Sequence, residues 1–254
     1  MMNRRDFIFV PLALAANTPG LAAEQPWSAR LLKGGFDGAV WWSGLSITLA
    51  PHWKTYWRVP GDGGIAPLLE ITGENIMASR VDYPVPHRIA GESGTTIGYQ
   101  ELVVFPFALT PGDVTRPVTV NLKAFFGVCD EVCIPAPFDA SLMFDPANAG
   151  APDQALIGQW QKQVPVLTAD GPVTKAVVDM QDGAFVLLLD TSEAIEEIFV
   201  EGNPLHYFGN PVVMRGLVRM TVVGVKSLDE LRATPLRITI RTTFNVLEQA
   251  VSVV

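Results

Sequence analysis

From Val118 to Phe126 every second residue is apolar: Val118, Val120, Leu122, Ala124 and Phe126 alternate with Thr119, Asn121, Lys123 and Phe125. A two-residue period puts one set on each face of an extended chain, so the stretch reads as a half-buried strand. The alternation resumes after Pro135 and Pro137, with Phe138, Ala140, Leu142 and Phe144 set against Asp139, Ser141, Met143 and Asp145. Two such runs so close together predict neighbouring strands joined by a loop from about Gly127 to Pro137. The only two cysteines, Cys129 and Cys133, fall in that loop and hence at one end of a sheet. Two prolines close behind Cys133 disfavour a helix from there onward, which separates the pair from a thioredoxin-type motif that opens a helix.

The remaining sequence follows the same grammar. Leu45, Ile47 and Leu49 alternate with Ser46 and Thr48, and Leu102–Leu109 is nearly continuous apolar sequence, as in a strand buried on both faces. Gly61–Gly64, Pro84, Pro86 and Gly91 supply turns. Between Asp145 and Pro152 the chain turns to Pro, Ala, Asn and Gly, and Asp153 can cap a short helix carrying Ala155, Leu156, Trp160 and Val164. Beyond it, Val186–Leu189, Val218–Val223, Leu236–Ile240 and Val246–Val254 read as strands, with helical turns near Glu193–Ile198 and Leu228–Leu231. A chain of 254 residues holds one or two domains. The expectation is therefore an all-β fold of two immunoglobulin-like antiparallel β-sandwich domains with a few short helices, over 24–150 and 151–254.

The first 23 residues read as an export signal. Arg4 and Arg5 precede an apolar run from Phe7 to Ala16, and Gly20, Leu21, Ala22 and Ala23 offer a cleavage site before Glu24. The run is too short to span a bilayer, and the segment has no cysteine for a lipid anchor, so the mature chain is expected in the periplasm without membrane insertion. Asn3-Arg4-Arg5-Asp6-Phe7-Ile8 also looks like a twin-arginine signal with Asn in place of the usual Ser or Thr, which leaves Sec and Tat both open. The mature amino terminus is expected near Ala23 or Glu24. A net charge of -8 supplies no cationic footprint for phosphates, which argues against nucleic acid as a partner.

In an oxidising compartment the two cysteines are expected to pair with each other. Their bond closes a loop of about five residues, which by chain entropy stabilises by only about 2 kcal/mol. Three readings stand on this spacing: a redox-active pair, a Cu(I) site of paired thiolates, and an inert staple in a binding or adaptor module. Asp130 and Glu131 lie between the cysteines and would raise a thiol pKa by like-charge interaction, with no Lys, Arg or His nearby in sequence to oppose them. The plainer alternative is that both acids simply solvate the loop.

Three blocks in order carry a resemblance: Trp53-Lys54-Thr55-Tyr56-Trp57-Arg58-Val59-Pro60-Gly61-Asp62-Gly63-Gly64, then Ile97-Gly98-Tyr99-Gln100-Glu101, then Val128-Cys129-Asp130-Glu131-Val132-Cys133-Ile134-Pro135. Together they resemble the amino-terminal periplasmic domain of the disulfide reductase DsbD and its relative ScsB. The resemblance implies an immunoglobulin-like sandwich whose cysteine pair relays electrons between a membrane donor of DsbD/ScsB type and a thioredoxin-like periplasmic protein. It implies Cys133 as the attacking thiol and Cys129 as the resolving one. Asp130, Glu131 and Pro135, as neighbours of the cysteines in sequence, and Tyr99, in the second block, are the candidate modulating residues. Larger members continue into a membrane domain that this chain lacks, so the donor is expected to be a separate protein. In DsbD an aromatic loop covers the cysteines, whereas Arg88–Thr96 here contains no aromatic. A Sco-type copper chaperone shares Cys-x-x-x-Cys followed by Pro, but on a thioredoxin-like fold.

Other prominent residues read as structural. Trp41, Trp42, Trp53 and Trp57 sit at strand positions, where aromatics pack cores more often than they bind sugars. His52, His87 and His206 are scattered with no zinc spacing, and neither a Ser-His-Asp grouping nor a phosphate loop stands out, so no cofactor and no metal is expected.

Overall fold

The two alternating runs pair as antiparallel neighbours, but over a greater length than their periodicity indicates. The computed structural model describes residues 25–91 and 94–254, so the expected export signal over 1–23 lies outside the described residues. The ladder continues through Pro135 opposite Gly127 and Ile134 opposite Val128 to Cys133 opposite Cys129. The loop expected from Gly127 to Pro137 is thereby reduced to a bend over 130–132. The prolines permit this because their strand is the outermost of its sheet. On an edge strand a proline costs no ladder bond where its missing N–H would have faced solvent.

The first sandwich comprises β1 (Trp27–Phe36), β2 (Trp41–Leu49), β3 (Lys54–Gly61), β4 (Leu68–Glu74), β5 (Ile76–Val81), β6 (His87–Gly91), β7 (Gly94–Gln100), β8 (Leu102–Pro111), β9 (Val118–Cys129) and β10 (Cys133–Phe144). One sheet runs β1-β2-β8-β5 and the other β10-β9-β3-β7-β6, with β4 also paired to β9. Trp41, Trp57, Phe105, Phe107, Phe126 and Phe144 fill the space between the sheets. Trp41 and Trp57, two of the four tryptophans singled out above, are thus core residues.

Helix α1 (Gln154–Gln161) follows, and Asp153 precedes it without capping it. The Asp153 carboxylate instead accepts from the Lys33 N–H and from Arg30, each at 2.8 Å, which ties the helix to β1. Ile157 is fully buried against Leu32 and Val104, so α1 packs on the first sandwich.

The second sandwich contains β11 (Val166–Thr168), β12 (Val173–Gln181), β13 (Ala184–Thr191), β14 (Glu197–Glu201), β15 (Tyr207–Phe208), β16 (Val212–Met214), β17 (Leu217–Val223), α2 (Leu228–Arg232), β18 (Leu236–Arg241) and β19 (Val246–Val251). Its sheets, β11-β19-β18-β14 and β12-β13-β17-β15 with β16 on β17, enclose a separate core that includes Leu187, Leu189, Met220, Ile238 and Ile240. Pairing is antiparallel except between β11 and β19. The helical turn expected near Glu193–Ile198 is not formed. Residues from Glu197 onward are strand β14, because Ile198, Phe199 and Val200 are all buried and the segment pairs with β18, and such burial overrides a local helix preference. The fold is all-β and immunoglobulin-like. Among the described residues no helix is long and apolar enough to cross a membrane.

Charge joins the two sandwiches. The Arg58 guanidinium lies 2.6 Å from carboxylate oxygens of both Glu201 and Glu248, and 4.3 Å from the centre of the Trp57 ring. Arg237 holds the other oxygen of Glu248, also at 2.6 Å. Phe199 packs against Trp57, and Arg88 lies over Phe199 while donating to the Ile198 carbonyl. Removing Arg58 would leave the half-buried Glu201 and the buried Glu248 without the cation they share. Arg58→Ala should therefore destabilise the chain by about 3 kcal/mol in denaturant titration.

Acid should act on the same interface. Burial pushes the Glu248 carboxyl up, but Arg237 and Arg58 outweigh it and hold the group below its ordinary 4.5. At Glu197 burial is likewise outweighed by His87 and the Arg88 N–H. A carboxylate with a depressed folded pKa adds stability above its unfolded value and loses it as pH falls through the folded one. Stability should thus fall as pH drops below about 4.5, measured by thermal melts across pH, and the fall should be shallower in Glu248→Gln.

Candidate redox site

Strand parity sets the position of the sulfurs. On β9 the core-facing residues are Val118, Val120, Leu122, Ala124, Phe126 and Val128, which leaves Gly127 and Cys129 on the outer face of the sheet. Directly opposed residues on paired strands project to the same face. Cys133 opposite Cys129 therefore brings its sulfur alongside, and the two are joined as a disulfide. Lys54 lies opposite Cys129 on the other side, on β3. Tyr56, of the same parity as Lys54, shares the outer face.

The Tyr56 hydroxyl donates to Cys129 Sγ at 2.8 Å and lies 3.2 Å from Cys133 Sγ. Its ring is covered by the turn after β3. Gly64, at a φ of 139°, lies flat against the ring where any Cβ would overlap it. Gly127 makes room beneath: a Cβ there would stand 2.8 Å from Ile65 Cβ and 3.1 Å from the ring. Burial pushes the Tyr56 phenol up, so it remains a protonated donor. The sulfurs are unequal. Cys129 is 1% exposed, whereas Cys133 is open to solvent.

A pocket of about 220 Å³ opens beside the pair, lined by Tyr56, residues 62–64 of the turn, Gly91 and residues 94–96, together with Lys54, Asp130 and Glu131. Exchange of a thiol pair needs an accessible sulfur, a second sulfur close by and a donor for the departing thiolate. All three are present here.

Of the residues singled out in the sequence, Cys129, Cys133, Asp130 and Glu131 meet at this pocket. Pro135 lies in β10 rather than in a loop. Tyr99 is elsewhere: it is buried in the core, packs on Phe105 and donates its hydroxyl to the Pro84 carbonyl at 2.7 Å. The tyrosine that reaches the sulfurs is Tyr56. Lys54, remote in sequence, joins Asp130 and Glu131 in lining this pocket, because sheet pairing sets it opposite Cys129. The segment without an aromatic, at Gly91 and Gly94–Thr96, does wall the pocket, with backbone and threonine. Tyr56 had one signal in the sequence, since it lies in the same block as Gly61–Gly64, the turn that covers it.

Residues 28–143 match the family described as thiol:disulfide interchange protein DsbD, N-terminal. The matched segment, just under half of the chain, is similar to the amino-terminal domain of DsbD. It runs through all ten strands of the first sandwich and contains both cysteines and Tyr56. DsbD-type domains are thiol-disulfide oxidoreductases. Across both sandwiches the fold is similar to the N-terminal periplasmic domain of ScsB from Proteus mirabilis, with a TM-score of 0.70 and 22% identity over 92% of this chain and 95% of that one. The DsbD N-terminal domain of Neisseria meningitidis in its reduced form aligns over 50% of this chain and 89% of its own, at 15% identity and a TM-score of 0.29. No curated protein matches the sequence.

Within this DsbD-like domain the Tyr56 hydroxyl is placed to stabilise a thiolate. Tyr56→Phe keeps the ring under Gly64 and removes only the donor. Alkylation of the reduced pair at neutral pH should slow by about tenfold, the worth of one hydrogen bond to a charged group, and the pH profile of alkylation should move to higher pH.

Proposed function

We propose that the chain relays electrons by thiol-disulfide exchange in the periplasm, between a membrane donor of the DsbD/ScsB type and a thioredoxin-like periplasmic protein. The observation that carries this reading is one exposed and one buried sulfur sharing a single hydroxyl donor, in a segment that matches DsbD. In the reduced chain the Cys133 thiolate attacks a sulfur of the partner's disulfide. A new S–S bond forms, and the partner's other sulfur leaves as a thiolate that takes a proton from solvent. Cys129, held alongside by the β9–β10 ladder, then loses its proton and attacks Cys133. The bond to the partner breaks. The partner departs with two thiols, reduced by two electrons, and this chain keeps the disulfide. Reloading by a donor dithiol follows the same two steps in reverse.

Tyr56 suits both steps, because its hydroxyl lies within reach of either sulfur and can follow the charge. Lys54 adds a cation to the pocket that Asp130 and Glu131 also line. Neither the copper reading nor the inert staple has a specific observation in its favour.

The roles of the two cysteines are open to a direct test. Cys129→Ala keeps the attacking thiol and removes resolution, so a mixed disulfide with the physiological partner should accumulate in periplasmic extracts and be identified by mass spectrometry. Cys133→Ala should trap little. Equal trapping by both variants would overturn the assignment of roles, and no trapping by either in the presence of a competent partner would overturn the exchange reading itself.

A further inference from the structure

None of the exchange steps calls on the second sandwich, yet that sandwich reaches the disulfide pocket. Tyr207 on β15 donates its hydroxyl to Asp62 Oδ1, and Asn210 Nδ2 donates to Thr95 Oγ1 at 3.0 Å. Asp62 and Thr95 are the residues that stitch the two walls of the pocket to each other. The Thr95 N–H donates to Asp62 Oδ2 at 2.6 Å, and the Asp62 N–H donates to the Thr95 carbonyl at 3.0 Å. From Asp62 the turn continues through Gly64, which lies on the Tyr56 ring, to Ile65, whose carbonyl accepts from the Gly127 N–H at 3.2 Å. Direct contacts and a short stretch of backbone thus connect Tyr207 through Asp62, Gly64 and Tyr56 to the two sulfurs.

The chemistry of the first contact favours its persistence. The Tyr207 hydroxyl and the Thr95 N–H hold the Asp62 carboxyl below its usual range, while burial and Asp62 push the Tyr207 phenol up to about 12. At neutral pH the acceptor is ionised and the donor keeps its proton. The Arg58 ion cluster anchors the same strand, β3, beyond Tyr56, so the second sandwich grips β3 and also the turn that follows it.

We propose that the second sandwich is the positioning element of the redox centre: Tyr207 and Asn210 pin the Gly61–Gly64 turn and the β6–β7 hairpin so that Tyr56 is held with its hydroxyl on both sulfurs. The inference rests on the exchange reading above and gives the second sandwich its part in it. Tyr207 and Asn210 touch neither sulfur. They act through Asp62 and Thr95.

The test reads the thiols of the full reduced chain, by iodoacetamide alkylation across pH with the modified cysteines resolved by mass. Tyr207→Phe should slow alkylation at neutral pH by about threefold, less than loss of the Tyr56 donor itself, and move the profile to higher pH. Asn210→Ala should shift it in the same direction. In a Tyr56→Phe background, Tyr207→Phe should add nothing, because the two residues act in series. Arg232→Ala, which breaks an ion pair within α2 of the second sandwich and touches neither the interface cluster nor the pocket, should leave the profile unchanged. An unchanged profile in Tyr207→Phe, full additivity with Tyr56→Phe, or an equal shift in Arg232→Ala would each overturn the proposal. Alkylation needs no partner protein, so failure here is distinct from failure of the trapping experiment.

Discussion

The pairing of β9 with β10 is the constraint on which the redox site depends. Because the ladder runs unbroken to Cys129 opposite Cys133, the two sulfurs meet as cross-strand neighbours on one face of a sheet, with a bend of only three residues beyond them. A slip of one residue would turn one sulfur to the opposite face, where Val128 now packs the core. The register is held by the inward-facing Val118, Val120, Leu122, Ala124, Phe126 and Val128 of β9 and by the partners of β9 on its other side, β3 and β4. A sheet with its own core therefore presents the disulfide. Since the loop it closes is so short, chain entropy gives that bond little thermodynamic advantage.

Strand β3 carries the rest of the arrangement. At one end Lys54 and Tyr56 face the disulfide, further along Arg58 enters the carboxylate cluster of the second sandwich, and the turn at its far end folds back over Tyr56. Trp57, between them in sequence, is driven into the core and also packs on Phe199 of the second sandwich. One extended segment thus satisfies core packing, redox chemistry and domain packing together. The alternation of side chains makes this possible: successive residues serve opposite faces, so demands on one face do not compete with demands on the other.

The interface between the sandwiches is polar at its centre. Arg58 shares two carboxylates, one of which is shared again with Arg237, and each is removed from most of its solvent. Such a cluster contributes less to net stability than an apolar contact of the same size, but it fixes orientation, because the hydrogen bonds hold only in one geometry. Orientation is what the disulfide pocket needs from the second sandwich, if a hydroxyl on β15 is to hold a turn of the first.

The sequence by itself determined the strands with clean two-residue periods and the place of the two cysteines at the end of a sheet. These are local properties, readable from spacing alone. It misjudged the loop around the pair because proline punctuates a strand only where its N–H is needed, and whether β10 is an edge strand is a fact of sheet order. It missed the helical-looking Glu193–Ile198 segment for the same reason, since burial of Phe199 against Trp57 joins residues far apart in the chain. Tyr56 rather than Tyr99 at the sulfurs, Lys54 opposite Cys129 and Tyr207 on Asp62 were decided only by tertiary structure. Each is a contact across strands or between sandwiches, and strand pairing converts large sequence separations into distances of a few ångströms that no local pattern encodes.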